Sequence, residues 1–296
     1  MLESKRTLAK HFSRMVTINQ DRCNLCGICI KICHESCMKI ENETITIDYR
    51  YCSTCCQCIS VCPEQALLWD DKAPITFNKT LYPSPVQIEE LLEERRTIRD
   101  FTKERIDRTL LEQIVILASL APTHNFNLRV IVIDDPEIIG KIETAIYRFT
   151  TRLYRFLYKP KVIHWMVRFF ASKSEFEYLK AKPKLEKSIE RGKAFKTVPA
   201  AIVMIVGGKR IPLSLESAQY SLYNIDLYAQ TCGLGCRNLV GNQMILNRSK
   251  SLRKLLKIAK DEKIFGTIAL GYPAVRFKNK VIGKQMPIQW NSCEST

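Results

Sequence analysis

The fold of the N-terminal region is set by two stretches, CNLCGICIKIC at residues 23–33 and CSTCCQCISVCP at residues 52–63. Each spaces its cysteines as C-x2-C-x2-C-x3-C, which gives Cys23, Cys26, Cys29 and Cys33 and then Cys52, Cys55, Cys58 and Cys62. Ten of the 13 cysteines of the chain lie between residues 23 and 62. Thiols this crowded, in a chain that starts without a recognisable export signal, indicate metal ligation rather than disulfides.

The repeated spacing resembles that of bacterial ferredoxins with two 4Fe–4S clusters, and not the paired C-x2-C motifs of zinc ribbons. In such ferredoxins the fourth cysteine of each run ligates the neighbouring cluster. The resemblance therefore implies a crossed assignment, with Cys23, Cys26, Cys29 and Cys62 on one cluster and Cys52, Cys55, Cys58 and Cys33 on the other. We expect the two remaining thiols, Cys37 and Cys56, to pack near the clusters. Residues 45–47 alternate as in a strand of a small hairpin.

The sequence as a whole predicts an α+β protein in three parts. Residues 1–72 form the ferredoxin-like domain, residues 73–84 a proline-containing linker, and residues 85–296 a domain of alternating helices and strands. Ser84 with Pro85, Asp107 and Pro136 carry helix-start signals, and Gly233-Leu234-Gly235 a helix-end signal. We predict strands at 128–133, 200–206, 237–240 and 264–270, and helices from 84, at 107–120, from 136, at 213–231 and at 249–260. No G-x-G-x-x-G follows a strand, which argues against a doubly wound dinucleotide fold.

Residues 145–195 are both aromatic and basic. We predict an inserted pair of helices that borders the active site. A substrate lid and a membrane-surface contact are the other interpretations, and we favour membrane contact least.

Four segments of the C-terminal part resemble the FMN-dependent nitroreductase family. Residues 95–101, RRTIRDF, are similar to its R-R-S-I-R-x-F segment, and residues 121–127, APTHNFN, to its A-P-S-x-x-N-x-Q loop, with one residue fewer before the asparagine. The resemblance implies FMN contacts from Arg95, Arg96, Thr97, Arg99, Pro122, Thr123, Asn125 and Asn127. His124 is a candidate proton donor to the substrate, although a lone loop histidine is more often only solvent-exposed.

The other two segments lie near the C-terminus. Residues 231–241, TCGLGCRNLVG, resemble the family's G-L-G turn and the strand after it, which implies that Val240 and Gly241 approach the reactive N5 of FMN. Residues 269–278 contain the G-Y-P strand end, which implies FMN contacts from Gly271, Arg276 and Lys278. Cys232 and Cys236 are expected to be core residues.

The resemblance further implies a nitroreductase-like FMN-binding α/β sandwich, preceded by the small two-cluster domain as in a subgroup frequent in anaerobes. Members are generally homodimers with FMN at the subunit interface. The expected function is the transfer of electrons from a low-potential donor, through two 4Fe–4S clusters and FMN, to a small-molecule acceptor such as a nitroaromatic, a quinone or an activated double bond. The alternative is an electron-transfer adaptor that docks a larger redox enzyme.

The net charge of +16 suits an acidic electron donor such as a small ferredoxin or flavodoxin. Nucleic-acid binding would need a recognition element, and no helix-turn-helix pattern is found. We expect a cytoplasmic location, because no signal peptide and no run of 18 apolar residues is found.

Overall fold

A computed structural model of the chain describes residues 15–123, 127–159, 172–283 and 285–291, without the side chains of residues 172–180 and of Val240. The cysteine-rich region, called here the cysteine unit (residues 15–72), contains two antiparallel strand pairs. β1 (Val16–Ile18) pairs with β4 (Leu67–Trp69), and β2 (Met38–Glu41) pairs with β3 (Thr44–Ile47). The strand predicted at 45–47 is thus confirmed within β3.

The two cysteine motifs adopt the same backbone conformation. Each motif ends in a helix of five residues, α1 (Ile28–Ile32) or α2 (Gln57–Val61). The residue before each helix is left-handed, with φ of 72° at Gly27 and 60° at Cys56. These equivalent turns place the two motifs around one small core, in which the buried residues are Val16, Cys29, Cys37, Met38, Ile45, Ile59 and Leu67.

The stretch between residues 73 and 84, all of it described, contains a short 3-10 turn at Lys79–Leu81 and no longer element. After it comes the part called here the sheet unit (residues 85–291). Its strands are β5 (Arg129–Ile133), β6 (Ala201–Gly208), β7 (Gly235–Asn238) and β8 (Glu262–Gly271). They form one antiparallel sheet in the order β5-β6-β8-β7. The α+β prediction for this part is confirmed.

Helices cover both faces of the sheet. Successive residues of the central strand β6 point to opposite sides, so its buried apolar side chains divide between the two faces and pack against helices on each. Ala201, Val203 and Ile205 face α4 (Arg108–Ile116) and α7 (Ser214–Thr231). Ile202, Met204 and Val206 face α5 (Pro136–Tyr158), α8 (Val240–Arg248) and α9 (Lys250–Leu255). The remaining helices are α3 (Pro85–Glu94) and α6 (Ser172–Glu190).

The predicted start signals at Ser84 and Asp107 and the end signal at Gly233-Leu234-Gly235 are confirmed, whereas the helix predicted at 107–120 is α-helical only to Ile116 and continues as a 3-10 turn at Leu117–Leu120. Ser84 and Gln87 form a capping box at the start of α3, and Asp107 caps α4 through the amides of Thr109 and Leu110. At the end of α7, Gly233 is left-handed (φ 75°) and the Leu234 amide donates to the carbonyl of Ala229 at 2.9 Å. This is the Schellman geometry that glycine favours at this position.

Two predicted elements near the C-terminus are wrong in part. The strand expected at 237–240 is β7, which ends at Asn238, and Val240 instead begins α8. The helix expected at 249–260 is shorter, because α9 ends at Leu255. The unpredicted α8 is stabilised by hydrogen bonds to a distant strand. The side-chain amides of Gln243 and Asn247 donate to the backbone carbonyl of Ile264 at 2.7 and 2.9 Å. Such long-range bonds leave no local signal in the sequence.

The aromatic and basic segment contains two helices that pack together, as predicted. Helix α5 begins at Pro136, before the segment, and extends to Tyr158, and α6 covers Ser172–Glu190. The Tyr154 hydroxyl donates to the Glu186 carboxylate at 2.8 Å and joins the two helices. Residues 160–171 lie outside the described residues, so the lid and membrane interpretations stay predictions. Among the helices that are described, none has the length and apolar character needed to cross a membrane.

Candidate cofactor sites

The first cavity of the cysteine unit is lined by Cys23, Cys26 and Cys29 of the first motif and by Cys62 of the second. It holds about 280 Å³ of empty space, part of it open to solvent. Asn24 closes one side by donating to the Glu64 carboxylate at 3.1 Å. The four cysteines grouped here are those that the crossed assignment predicts for one cluster.

The second cavity mirrors the first. It is lined by Cys52, Cys55 and Cys58 of the second motif and by Cys33 of the first, and it holds about 400 Å³ of partly open space. This is the other predicted set of four. Cys37 and Cys56 line the same cavity, so both surplus thiols lie beside one predicted cluster and neither lies beside the other.

Burial moves the pKa of several of these thiols further above its ordinary value. It raises the pKa of Cys58 to about 12 and that of Cys56 to about 11. Burial also raises the pKa of Cys29. A metal binds thiolates, so loading these cavities must release protons.

No three histidine, cysteine, aspartate or glutamate side chains in the described part of the chain are placed to hold a single metal ion. A cubane has a different requirement, because each of its four cysteines binds a different iron and the sulfur atoms therefore surround the cluster. In number and type, the four cysteines that line each cavity match that requirement.

In the sheet unit, three of the four predicted FMN segments meet at the β7 edge of the sheet. The Ile98 amide donates to the Cys236 carbonyl at 2.9 Å, which attaches residues 97–101 to β7. The Thr102 amide donates to the Tyr272 carbonyl at 2.8 Å, and the Ala274 amide to the Asp100 carbonyl at 2.9 Å. Segments that lie far apart in sequence thus form one continuous surface.

Two glycines allow this close approach. A Cβ atom on Gly235 would lie 2.7 Å from the Cβ of Ile98, and one on Gly271 would lie 2.8 Å from the ring of Phe101. Contacts this short do not occur in folded proteins, so a side chain at either position would push residues 97–101 away from the sheet. Gly271, a predicted FMN contact, therefore has a packing role that the structure shows directly.

The first two arginines of the 95–101 segment have protein partners. The Arg95 guanidinium lies 3.6 Å from the buried Asp226 carboxylate on α7. Burial raises the pKa of Asp226, and hydrogen bonding from Cys236 together with Arg95 opposes that rise. Arg96 donates to the carbonyls of Glu93 and Arg95, at the C-terminal end of α3. Their predicted contacts with FMN stay predictions.

Arg99 belongs to a cationic group that the sequence did not reveal. Burial is the largest cause of the lowered pKa of Arg237, and the nearby positive charges of Arg99 and Arg191 lower this pKa further. Arg237 lies on β7 with its guanidinium 5.9 Å from the centre of the Phe195 ring. None of these three arginines has an acidic partner within the described ranges. Three arginines near one another without an acidic partner create a positive potential that favours a negatively charged ligand.

Val240 and Gly241 are the first two residues of α8. The Gly241 amide has no acceptor among the described residues, and the space where its side chain would be is open. The first amides of a helix carry partial positive charge and bind electron-rich ligand atoms. The sequence placed this glycine after a strand, whereas the structure gives it a helix N-terminus.

The other predicted contacts have no hydrogen bond to this surface within the described ranges or lie outside the described residues. His124 and Asn125 are outside the described residues. Thr123 lines a small cavity with Ser119 and Ser221, and Pro122 is exposed. Within the described ranges, no hydrogen bond joins residues 121–123 or Asn127 to residues 95–101. Arg276 and Lys278 are exposed beyond β8.

A family model described as the nitroreductase family matches residues 92–272, which is more than half of the chain. A search of curated proteins finds no match.

Solved structures of similar fold include a nitroreductase with bound FMN from Desulfitobacterium hafniense. It is 17% identical, covers 72% of this chain and 100% of its own, and has a TM-score of 0.50. A nitroreductase with bound FMN from Bacteroides fragilis is 15% identical, covers 69% and 99%, and has a TM-score of 0.48. An FMN-dependent nitroreductase from Clostridium difficile is 19% identical, covers 69% and 98%, and has a TM-score of 0.47.

Proposed function

Because the chain belongs to the nitroreductase family, we propose that it is an FMN-dependent oxidoreductase whose cysteine unit holds two 4Fe–4S clusters and supplies electrons for reducing a small organic acceptor. Nitroaromatics, quinones and activated double bonds are the acceptor classes. The observation that carries the proposal is the pair of cavities, each lined by four cysteines of the crossed set, in a chain with the family's FMN segments. When bound, the clusters transfer single electrons and FMN stores two and delivers them.

The β7 edge of the sheet unit is the proposed FMN site. Arg99, with Arg237 and Arg191 near it, supplies positive charge for a phosphate or for the negative charge that a flavin ring gains on reduction. The Gly241 amide at the start of α8, for which the described part of the chain offers no acceptor, provides a donor for an electron-rich ring atom. The anionic character of FMN matches both features. Thr97, Gly271, Arg276 and Lys278 are the further candidate contacts.

We propose a homodimer in which the 121–127 loop of one subunit completes the FMN site of the other. Two observations support it. The loop has no hydrogen bond, within the described ranges, to the 95–101 segment of its own chain. Large apolar side chains also remain exposed on α3 and on the tail after β8, including Val86 at 70%, Ile282 at 96% and Trp290 at 84%. Exposed apolar surface of this extent marks an interaction surface.

The tail contacts α3 at Lys280, which forms an ion pair with Glu93 at 2.7 Å and another with Glu90. The exposed Val281 and Ile282 follow Lys280 directly, so that a second subunit could bury them together with α3. The donor of electrons is proposed to be an acidic protein such as a ferredoxin or flavodoxin, because the chain carries a net charge of +16. The cytoplasmic location stays a prediction of the sequence.

The test of cofactor content is anaerobic purification followed by quantification of iron, sulfide and FMN. We expect about eight irons and one FMN per chain. The variant Cys26→Ser, at the first cavity, should lose about four irons, whereas the control Cys232→Ser, outside both cavities, should lose none.

Each outcome is informative. FMN without iron or sulfide would overturn the clusters and leave a flavoenzyme with another donor. Iron and sulfide without FMN would overturn the flavoenzyme and favour an adaptor that docks a larger redox enzyme. An equal iron loss in both variants would overturn the assignment of cysteines to cavities.

A further inference from the structure

The two cysteine cavities differ at two positions that are equivalent in the repeated motifs. The residue after the second cysteine is Gly27 in the first motif and Cys56 in the second. The fourth residue after the last cysteine is Cys37 in the first motif and Ala66 in the second. Because of the crossed arrangement, both substitutions fall on the second cavity, which therefore carries two thiols beyond its four predicted ligands.

We propose that the Cys37 thiol tunes the second cluster by donating its S–H to the sulfur of Cys33, which makes that cluster easier to reduce. This inference rests on the proposed clusters. Cys37 is a positioning residue here, because it acts on the cluster only through a ligand.

The geometry supports a hydrogen bond between the thiols of Cys37 and Cys33, and iron ligation fixes its direction. Their sulfur atoms lie 3.4 Å apart, and Cys37 is only 6% exposed, so water does not compete for the thiol. A cysteine that binds iron does so as a thiolate and has no proton to give. In the loaded protein the proton of this pair must therefore belong to Cys37, and Cys33 must accept.

A hydrogen bond to a ligand sulfur withdraws electron density from the cluster and raises its reduction potential. At the first cavity the equivalent ligand, Cys62, accepts from the backbone amide of Ala66 at 3.3 Å. At the second cavity, among the described residues, the contact on Cys33 comes from a side chain instead. A single substitution can therefore remove this donor without moving the backbone.

Cys56 provides a matched control in the same cavity. Its thiol donates to the Thr54 carbonyl at 3.4 Å, so its proton is not directed at a ligand sulfur. The variant Cys56→Gly restores the residue of the first motif and suits the left-handed backbone at this position, where φ is 60°.

The experiment is an anaerobic redox titration of the full-length loaded protein with dithionite, in which electron paramagnetic resonance records the signal of each cluster at every potential. Cys37→Ala should lower the midpoint potential of one cluster by about 59 mV, a tenfold change in a one-electron equilibrium, and leave the other unchanged. Cys37→Ser keeps a hydrogen-bond donor, so it should lower the midpoint potential less than Cys37→Ala does. Cys56→Gly should leave the midpoint potential nearly unchanged. The affected signal should be the one that disappears in Cys55→Ser, at the second cavity.

Several results would overturn the inference while the clusters stand: no shift in Cys37→Ala, a shift of the other cluster, or an equal shift in Cys56→Gly. Loss of about four irons in Cys37→Ala would also overturn it, because a residue that only donates to Cys33 is not needed to hold iron. Wild-type protein without any cluster signal would instead contradict the proposed function itself.

Discussion

The cysteine unit and the sheet unit assemble their candidate sites over very different distances in the sequence. Each cysteine cavity takes three of its four cysteines from seven consecutive residues, and the cavities lie within the small core itself. The proposed FMN site joins residues 97–102 to β7 and the end of β8. More than 130 residues lie between residue 102 and the start of β7. The cysteine unit has its candidate sites inside its core, whereas the sheet unit has a larger apolar core with its candidate site at the edge.

Removal of iron should produce the largest effect and should separate the two units. The core of the cysteine unit is small, and its buried residues include Cys29 and Cys37, so we expect the unit to depend on bound clusters for its fold. After chelation, amides of residues 15–72 should lose protection in hydrogen exchange, whereas β6 and β8, which lie among buried apolar side chains, should keep theirs.

Equal protection of residues 15–72 before and after complete iron removal would contradict this contrast. It would show that the small apolar core is sufficient by itself. Loss of protection in β6 at the same time would contradict it in the other direction, since the sheet unit would then depend on the clusters too.

A smaller effect is expected from Gly235→Ala in the sheet unit. The added methyl group would collide with Ile98 and separate residues 97–101 from β7, at a cost of about 1–3 kcal/mol. FMN affinity should fall as well, because Arg99 would move away from Arg237. Thermal unfolding and fluorescence titration with FMN measure the two effects.

The control for this variant is Gly140→Ala in α5, where nothing lies within 4 Å of the added atom. It should stabilise the protein by about 0.5–1 kcal/mol and leave FMN affinity unchanged. If Gly235→Ala behaves like this control, then the close approach at Ile98 does not form the site.

The features with local causes were predictable from the sequence. The start signals at Ser84, Asp107 and Pro136 were followed by helices, and the deciding residues at each start are within a few positions of each other. The spacing within each cysteine motif is equally local, whereas the pairing of each motif with the fourth cysteine of the other was implied by the resemblance to two-cluster ferredoxins.

The features that depend on distant partners were missed. Helix α8 contains a glycine and two asparagines, which are weak helix formers, and it is supported by hydrogen bonds to Ile264. Arg237 becomes part of a cationic group only because the fold brings Arg99, from the 95–101 segment, and Arg191, just after α6, near it. Its one local signal was a charged residue in a strand of four, which by itself does not identify a site.

Electron transfer from the cysteine unit to FMN is tested most directly by titrating the anaerobic, fully loaded protein with reduced ferredoxin while the flavin absorbance is recorded. We predict that the flavin bleaches with about two electrons per FMN, and that the flavin of Cys55→Ser bleaches far more slowly although this variant still binds FMN. A flavin that reduced ferredoxin cannot bleach, or that bleaches at the same rate in Cys55→Ser, would contradict electron transfer from the cysteine unit to the FMN.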